Sequence, residues 1–448
     1  MNRRRFLSAG ATAAAVAGLA GCTSDDSEDD PTTSDDMPRV QNPPDGVYLP
    51  SHTDGMAMLD TEIVGEVAVS PMLSIPHFFW IVETGIGDGV ERVDPPESDS
   101  VHFMASVWDP ETDVVLPVDA GLSIDIEQDG RLVDSRAPWA MLSQGMGFHF
   151  GDNYDLDGNG QYTATITTGS MENVRLTGEM EGRFQRSETV TVEFEMTNER
   201  RQRLVESVQR FEEERWGSRA AVPPMNRGQG GMGEGEMQDG DERGMQDGDE
   251  RGMQDGDERG MQDGDERGMQ DGDERGMQDG DERGMQDGDE RGMQDGDSGE
   301  NGEHLDGGHQ MPYSSLPDPE TLPGTLLGTP TFDDAVYATT LLEPGSRFVE
   351  GEEQYLAVSP RTPYNRCVLP QMSLSATLER DGEVLDISGL QPTLDHELEF
   401  HYGATVDDIQ VGDELVLAID SVSQAARHQG YETAFTETGE RQLAIDTL

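Results

Sequence analysis

The sequence predicts an all-β protein: two immunoglobulin-like antiparallel β-sandwich domains joined by a long disordered acidic repeat linker. Three observations carry this. Leu122–Tyr154 recurs without a gap as Leu374–Val406, at an offset of 252, with ten of 33 pairs identical; ordinary composition would give about two by chance. Short segments of alternating apolar and polar residues, separated by Gly and Asp turns, surround both copies. Between the copies lies an eight-residue repeat too poor in apolar residues to fold.

The identical pairs are Leu122/Leu374, Ser123/Ser375, Glu127/Glu379, Asp129/Asp381, Gly130/Gly382, Asp134/Asp386, Leu142/Leu394, Phe148/Phe400, His149/His401 and Gly151/Gly403. With one residue of slippage the match extends to Val115-Leu116-Pro117 and Val368-Leu369-Pro370. This is a duplicated domain, and Phe-His-aromatic-Gly is its most unusual part.

Residues 1–21 read as an export signal. Arg3-Arg4-Arg5-Phe6-Leu7 has the twin-arginine pattern, and the apolar run Ala9–Ala20 is too short to span a bilayer. Leu19-Ala20-Gly21-Cys22 has the form of a lipoprotein cleavage box, so Cys22 is the expected lipidation site and the membrane an expected partner. A plain secretory signal containing a cysteine is the alternative. Residues 22–45 are acidic and Pro-rich, a tether. The first sandwich is expected over 46–197, with strands near Glu66–Val69, His102–Trp108, Leu122–Glu127, Gln161–Thr167 and Thr189–Phe194. An amphipathic helix is expected over 198–218, capped by Asn198, with the stripe Leu204, Val205, Val208, Phe211 and Trp216. It packs on its own domain or on a partner.

The linker, 219–310, holds seven full copies of MQDGDERG from Met237 to Gly292, each with a net charge of -2. Such a segment cannot bury enough surface to offset its conformational entropy. Metal scavenging by its methionines is the alternative reading, weakened by the lack of His or Cys within the repeat. The second sandwich is expected over 311–448, with strands near Glu353–Val358, Ser373–Glu379 and Glu414–Ile419.

The formal charge of -62, with 30 basic residues that are all arginine, argues against nucleic acid and anionic lipid as general partners. It fits a halophilic protein whose surface repulsion is screened by salt. With Cys22 acylated, only Cys367 of the two cysteines remains, so no intrachain disulfide is expected; Cys367, beside Val368 and Leu369, reads as a core residue. No nucleophile–base constellation, HExxH, CxxC or phosphate loop is found, and the chain is expected not to be an enzyme. Asp155–Gly160 begins like a calcium loop but has Ile166 where the loop needs Glu. Of nine histidines, His304 and His309 fall in the linker. The chemistry left is histidine and methionine near strands. His102 and Met104 are two apart, on one strand face. His149 follows Met141 and Met146. Imidazole plus thioether suits copper or Fe2+ rather than Mg2+ or Ca2+.

On these residues the block Val101–Phe194 resembles the periplasmic Fe2+ transport protein family. The motifs are Met141–Asn153 (MLSQGMGFHFGDN), the Gly160-Gln161-Tyr162-Thr163 strand, and His102-x-Met104, where the family has His-x-Glu. The resemblance implies an immunoglobulin-like fold and an exported iron-binding function beside a membrane iron permease. It implies a site from His102, Met104, His149 and either Met141 or Met146. Met104 in place of a carboxylate softens that site. The family's later Arg-His is matched by Arg427-His428 in the second copy, and by Arg175-Leu176 in the first. At the same offset the second copy has Gln354 and Leu356 opposite His102 and Met104, and retains His401. Family members are expected to pair as dimers. The two copies could therefore form an intramolecular pseudo-dimer, a homodimer being the other arrangement, with one composite site drawing His428 from the second copy and His102, Met104 and His149 from the first. The alternative leaves His401 and His428 holding a separate site. The expected function is capture of iron, as Fe2+ or Fe3+, at the outer face of the cell membrane and delivery to an iron permease; the rivals are a copper-binding chaperone or sink and a structural surface lipoprotein.

Overall fold

The computed structural model describes residues 37–82, 89–117, 121–225, 311–312 and 314–448. The signal sequence, Cys22, most of the tether, the repeats, His304 and His309 lie outside the described residues. Among the described residues no helix is long and apolar enough to cross a membrane.

The principal strands of the first copy are β1 (Val67–Ser74), β2 (Phe79–Val82), β3 (Val101–Trp108), β4 (Leu122–Gln128), β5 (Arg131–Arg136), β6 (Trp139–Ser143), β7 (Gly147–Tyr154), β8 (Gly160–Thr168), β9 (Arg175–Leu176) and β10 (Thr189–Met196). Those of the second are β11 (Ala335–Leu342), β12 (Gln354–Arg361), β13 (Ser373–Arg380), β14 (Glu383–Asp395), β15 (Glu399–Val406), β16 (Glu414–Ser421), β17 (Ala426–Arg427) and β18 (Gly439–Ala444). The fold is all-β and almost wholly antiparallel, as the alternation predicts.

In the first copy, β10-β8-β4-β5 form one sheet, and Met56–Met58, β1, β3, β7 and β6 run side by side in the facing one. In the second copy β11-β12-β15-β14 correspond to β1-β3-β7-β6. The long β14 then passes into the opposite sheet to pair with β13, followed by β16 and β18. The repeated Asp-Gly pairs are two-residue hairpin turns. Asp129 (φ 53), Gly130 (φ 73), Asp381 (φ 52) and Gly382 (φ 83) are all left-handed, as a turn matching strand twist requires. Leu142, Leu394, Phe148 and Phe400 are core residues. A single apolar core runs through both copies, from Trp108, Phe103 and Phe194 to Leu394, Phe400 and Leu417.

The copies exchange short strands. β17 of the second copy runs parallel to β6, with Met141 opposite Ala426 and Leu142 opposite Arg427. It also meets β2 through Arg427 and Trp80. Reciprocally, β9 of the first copy runs parallel to β14, with Arg175 opposite Thr393 and Leu176 opposite Leu394. β3 and β12 are buried along their whole lengths.

The helix expected over 198–218 is shorter. α1 is Asn198–Glu206, capped by the Thr197 hydroxyl accepting from the Arg200 amide, and not by Asn198. Of the predicted stripe only Leu204 is fully buried. The chain leaves the helix because Gln209–Arg210 pairs with His52–Thr53 and the Phe211 amide donates to the Ser51 carbonyl. The borders drawn for tether and linker also fold against the core: Met37 and Val222 are buried. The Val222 amide donates to Gln144 Oε1 at 2.8 Å.

Candidate metal centre

The centre forms where the exchanged strand meets the first copy. On β3 the odd residues Val101, Phe103 and Ala105 face the sandwich core, so the two-residue period sends His102 and Met104 to the other face. β7 is antiparallel to β3 and places Gly151 opposite Met104 and Asn153 opposite His102. β6 places Met141 opposite His149. The turn after β1 brings His77, and the residue after β17 is His428, whose amide donates to the Leu142 carbonyl at 3.0 Å.

Four imidazoles converge. The His77 ring lies 3.8 Å from that of His102 and 4.8 Å from that of His428, and the His149 and His428 rings are 5.2 Å apart. One ring nitrogen from each of His77, His102 and His428 falls within 4.8 Å of the others. The centre of a triangle with that side lies about 2.8 Å from its corners. Nitrogen ligation needs roughly 2.0–2.1 Å for Zn2+ and similar ions, so side-chain movements under an ångström would close the shell.

Each ring is held through Nδ1. That of His77 lies 3.2 Å from the Ile75 carbonyl, and that of His149 lies 3.1 Å from the Gly147 carbonyl. That of His102 lies 3.0 Å from Asn153 Oδ1, and that of His428 lies 3.5 Å from Asp54 Oδ2. Asn153 is a clamp. Its Oδ1 also accepts from the His77 amide at 3.1 Å, while its Nδ2 donates to the His77 carbonyl at 2.9 Å. All four Nε2 atoms are buried and have no hydrogen-bond partner among the described residues. Orphaned buried polar atoms are rare, and four imidazole nitrogens in one place are a donor set that fits a transition-metal ion. An acceptor on Nδ1 fixes the tautomer that leaves Nε2 free to ligate. Burial pushes His77 down to about 4 and His149 to about 3, and it holds His102 well below the ordinary imidazole value, with the neighbouring imidazoles adding to it. All three are neutral, the ligating form, at neutral pH.

The two methionines the motif leaves open are now distinguished. A methyl group placed on Gly151 would lie 2.7 Å from His102 Nε2, 3.2 Å from Met104 Cγ and 3.2 Å from Met141 Sδ. Met141 sulfur therefore shares the space above Gly151 with His102. Met146 instead packs with Met72 and Met104 and lines a cavity of about 60 Å³ together with His52, Asp54, Met56, His77 and His428.

His401 is not in this centre. It occupies the matching place in the second copy, with Nδ1 3.0 Å from the Glu399 carbonyl, but its Nε2 lies 3.2 Å from the Tyr355 hydroxyl. The sheet ladders correct the residue matching between the copies. Gly403 pairs with Ala357 and Thr405 with Tyr355, so Tyr355 and Ala357, not Gln354 and Leu356, stand where the first copy has His102 and Met104. Likewise Thr177, whose amide donates to the Leu394 carbonyl, matches His428, and Leu176 matches Arg427. Tyr355, stacked on Phe348 at 4.5 Å, fills the second copy's place. The histidine that sequence reasoning left out of the site is His77. A lone His after Pro76 carries no spacing signal.

A family model described as a domain of unknown function (DUF7350) matches residues 320–444, within the second copy. No curated protein matches the chain. Among solved structures, FetP of uropathogenic E. coli is 16% identical over 32% of this chain and 96% of its own, with a TM-score of 0.23. A copper-bound FetP variant is 16% identical over 31% of this chain and 96% of its own, with a TM-score of 0.21.

Proposed function

We propose that the chain is an exported, lipid-anchored protein that captures a transition-metal ion outside the cell and passes it to a membrane permease. The observation that carries this reading is the set of four buried, tautomer-fixed imidazoles with unpartnered Nε2 atoms. The ion is cargo: among the described residues no cysteine joins the cluster, and reversible ligation by imidazole and thioether suits capture and release. The site is composite, since His428 reaches it only through strand exchange between the copies. Iron is the cargo that the sequence resemblance implies. Copper is the second reading, favoured by one feature: the sulfur of Met141 and His102 Nε2 both border the space above Gly151, and soft donors with imidazole rank copper above Fe2+.

The test is titration of the mature protein in molar salt with Fe2+, Fe3+, Cu2+ and Cu+, beside His149→Ala and His428→Ala. Stoichiometric binding lost in His149→Ala and weakened at least tenfold in His428→Ala is expected. Unchanged affinity in His428→Ala would refute the composite site. Absence of stoichiometric binding of every ion would refute the function.

A further inference from the structure

The cavity beside the imidazoles has a second wall, and that wall is sulfur. Met72 and Met104 are direct cross-strand neighbours on β1 and β3. With Met146 they form a buried cluster of their own, against which Met56, Met225 and Met311 pack. These methionines come from separate parts of the chain. Met56 is on the edge strand paired with β1, and Met146 sits in the turn between β6 and β7, its amide accepted by Ser143 Oγ at 3.1 Å. The Met225 amide donates to the Gly145 carbonyl at 3.1 Å, the residue before Met146. Simple core filling calls for Leu, Ile and Val in defined rotamers, with methionine used sparingly. Here the cluster has no buried aliphatic member, although the adjoining core is rich in Val, Ile and Leu.

Met56, Met104 and Met146 line the same cavity as His77 and His428, whose Nε2 atoms are unpartnered. At about 60 Å³ the cavity is far smaller than the roughly 300–1,000 Å³ of an organic ligand pocket. It fits a bare ion. Thioethers are soft donors that select monovalent copper over divalent ions.

We propose a thioether site for a soft monovalent cation, Cu+ or Ag+, built from Met56, Met72, Met104 and Met146 and separate from the imidazole site that faces it. Divalent ions go to the imidazoles, monovalent ions to the sulfurs, and Met104 stands between the two. The proposal deepens the function above, sharing its cavity, but the two fail independently.

The experiment uses the full mature chain in molar sodium nitrate, which avoids precipitating silver. Ag+, which is redox-inert here, and Cu2+ are titrated by competition with a chromophoric chelator. The triple variant Met56→Leu/Met72→Leu/Met146→Leu conserves volume, so the core is retained. Ag+ affinity is expected to fall at least tenfold in it, with Cu2+ affinity within twofold of wild type. His149→Ala/His428→Ala is expected to show the reverse. The repeat methionines are common to all variants, so the difference reads the cavity alone. Equal Ag+ affinity in wild type and triple variant overturns the thioether site and leaves the imidazole reading standing. Absence of Fe2+ binding as well as Cu2+ binding in wild type overturns the imidazole reading only. Should the triple variant fail to fold, the methionine methyl NMR signals of wild type decide. Ag+ must shift the dispersed signals of the buried methionines before the degenerate signal of the repeat, and the opposite order overturns the proposal.

Discussion

Gly151→Ala is the most direct test of where the ion sits. The backbone at Gly151 is not left-handed, so alanine is tolerated conformationally and only the added methyl matters. That methyl would lie 2.7 Å from His102 Nε2 and 3.2 Å from both Met104 Cγ and Met141 Sδ. Since His102 is clamped by Asn153 at 3.0 Å, the ring must pivot by several tenths of an ångström, beyond the roughly 0.2 Å tolerance of a metal–ligand bond. Disturbing one ligand's position costs roughly 10–100-fold in affinity, which is about 1.4–2.7 kcal/mol. Overpacking adds roughly 1–3 kcal/mol of instability. Gly403→Ala is the matched control. Its methyl would lie 2.1 Å from the Tyr355 hydroxyl oxygen and 2.3 Å from Tyr355 Cζ, and that ring is stacked on Phe348. The control should lose as much stability as Gly151→Ala or more, roughly 2–4 °C of midpoint per kcal/mol, with unchanged metal affinity. Isothermal titration and thermal melts in molar salt read both quantities. If Gly151→Ala keeps its affinity within threefold, or Gly403→Ala loses affinity equally, the ion is not held between His102, Met104 and Met141.

Other outcomes follow from the same geometry. Asn153→Leu removes the acceptor from His102 and the clamp on His77 together, so metal affinity should drop 10–100-fold in titration; an affinity within threefold of wild type refutes the orienting role. Tyr355→Phe should leave metal affinity at the first-copy centre untouched while destabilising the fold by about 1 kcal/mol through loss of the hydroxyl partner of His401, read by denaturant melts. The metal-free protein should lose stability as pH falls from about 6.5 toward 5. The buried imidazoles have depressed folded values (about 4 for His77, about 3 for His149), so the unfolded chain takes up protons that the folded one refuses, and stability is full only above the unfolded value of about 6.5. Three such groups alone give a limiting slope of roughly 4 kcal/mol per pH unit; His401 (about 4) adds to it, while the raised carboxyls of Glu399 (about 7) and Asp152 (about 6) oppose it, and a melting point that rises as pH falls from 7 to 5 contradicts the burial of the imidazoles.

Much of this was legible in the sequence, and what was hidden has physical causes. Strands with one wet face showed themselves by alternation: β4, β8, β10, β13 and β16 lie within about two residues of their expected ranges. β6 and β7 fall outside every expected range, although β3, equally buried on both faces, lies within one residue of its own. They were marked only by the repeat. The overlong helix was misjudged because Val208 and Phe211 keep helical spacing while the backbone between them joins His52–Thr53. The mismatch at Tyr355 is a register matter. A shift of one residue turns every side chain of a strand to the other face. The clue was present, since Val115-Leu116-Pro117 matches Val368-Leu369-Pro370 one residue out of step. Carrying that step upstream puts Tyr355 opposite His102.

The asymmetry of the two copies then has a structural explanation. Each copy lays a short strand beside the other's His-bearing sheet, so His149 and His401 stand in matching places with different surroundings. In one, His102, Met104 and Met141 border the space above Gly151, with His428 near His102 and His149. In the other, Tyr355 crosses the equivalent space above Gly403, and its hydroxyl also lies 3.2 Å from Thr393, the residue matching Met141. A phenol that reaches both His401 and Thr393 satisfies these buried polar groups within the protein. The first-copy cluster depends on the second copy, because His428 reaches it from the end of β17, a strand that the second copy supplies.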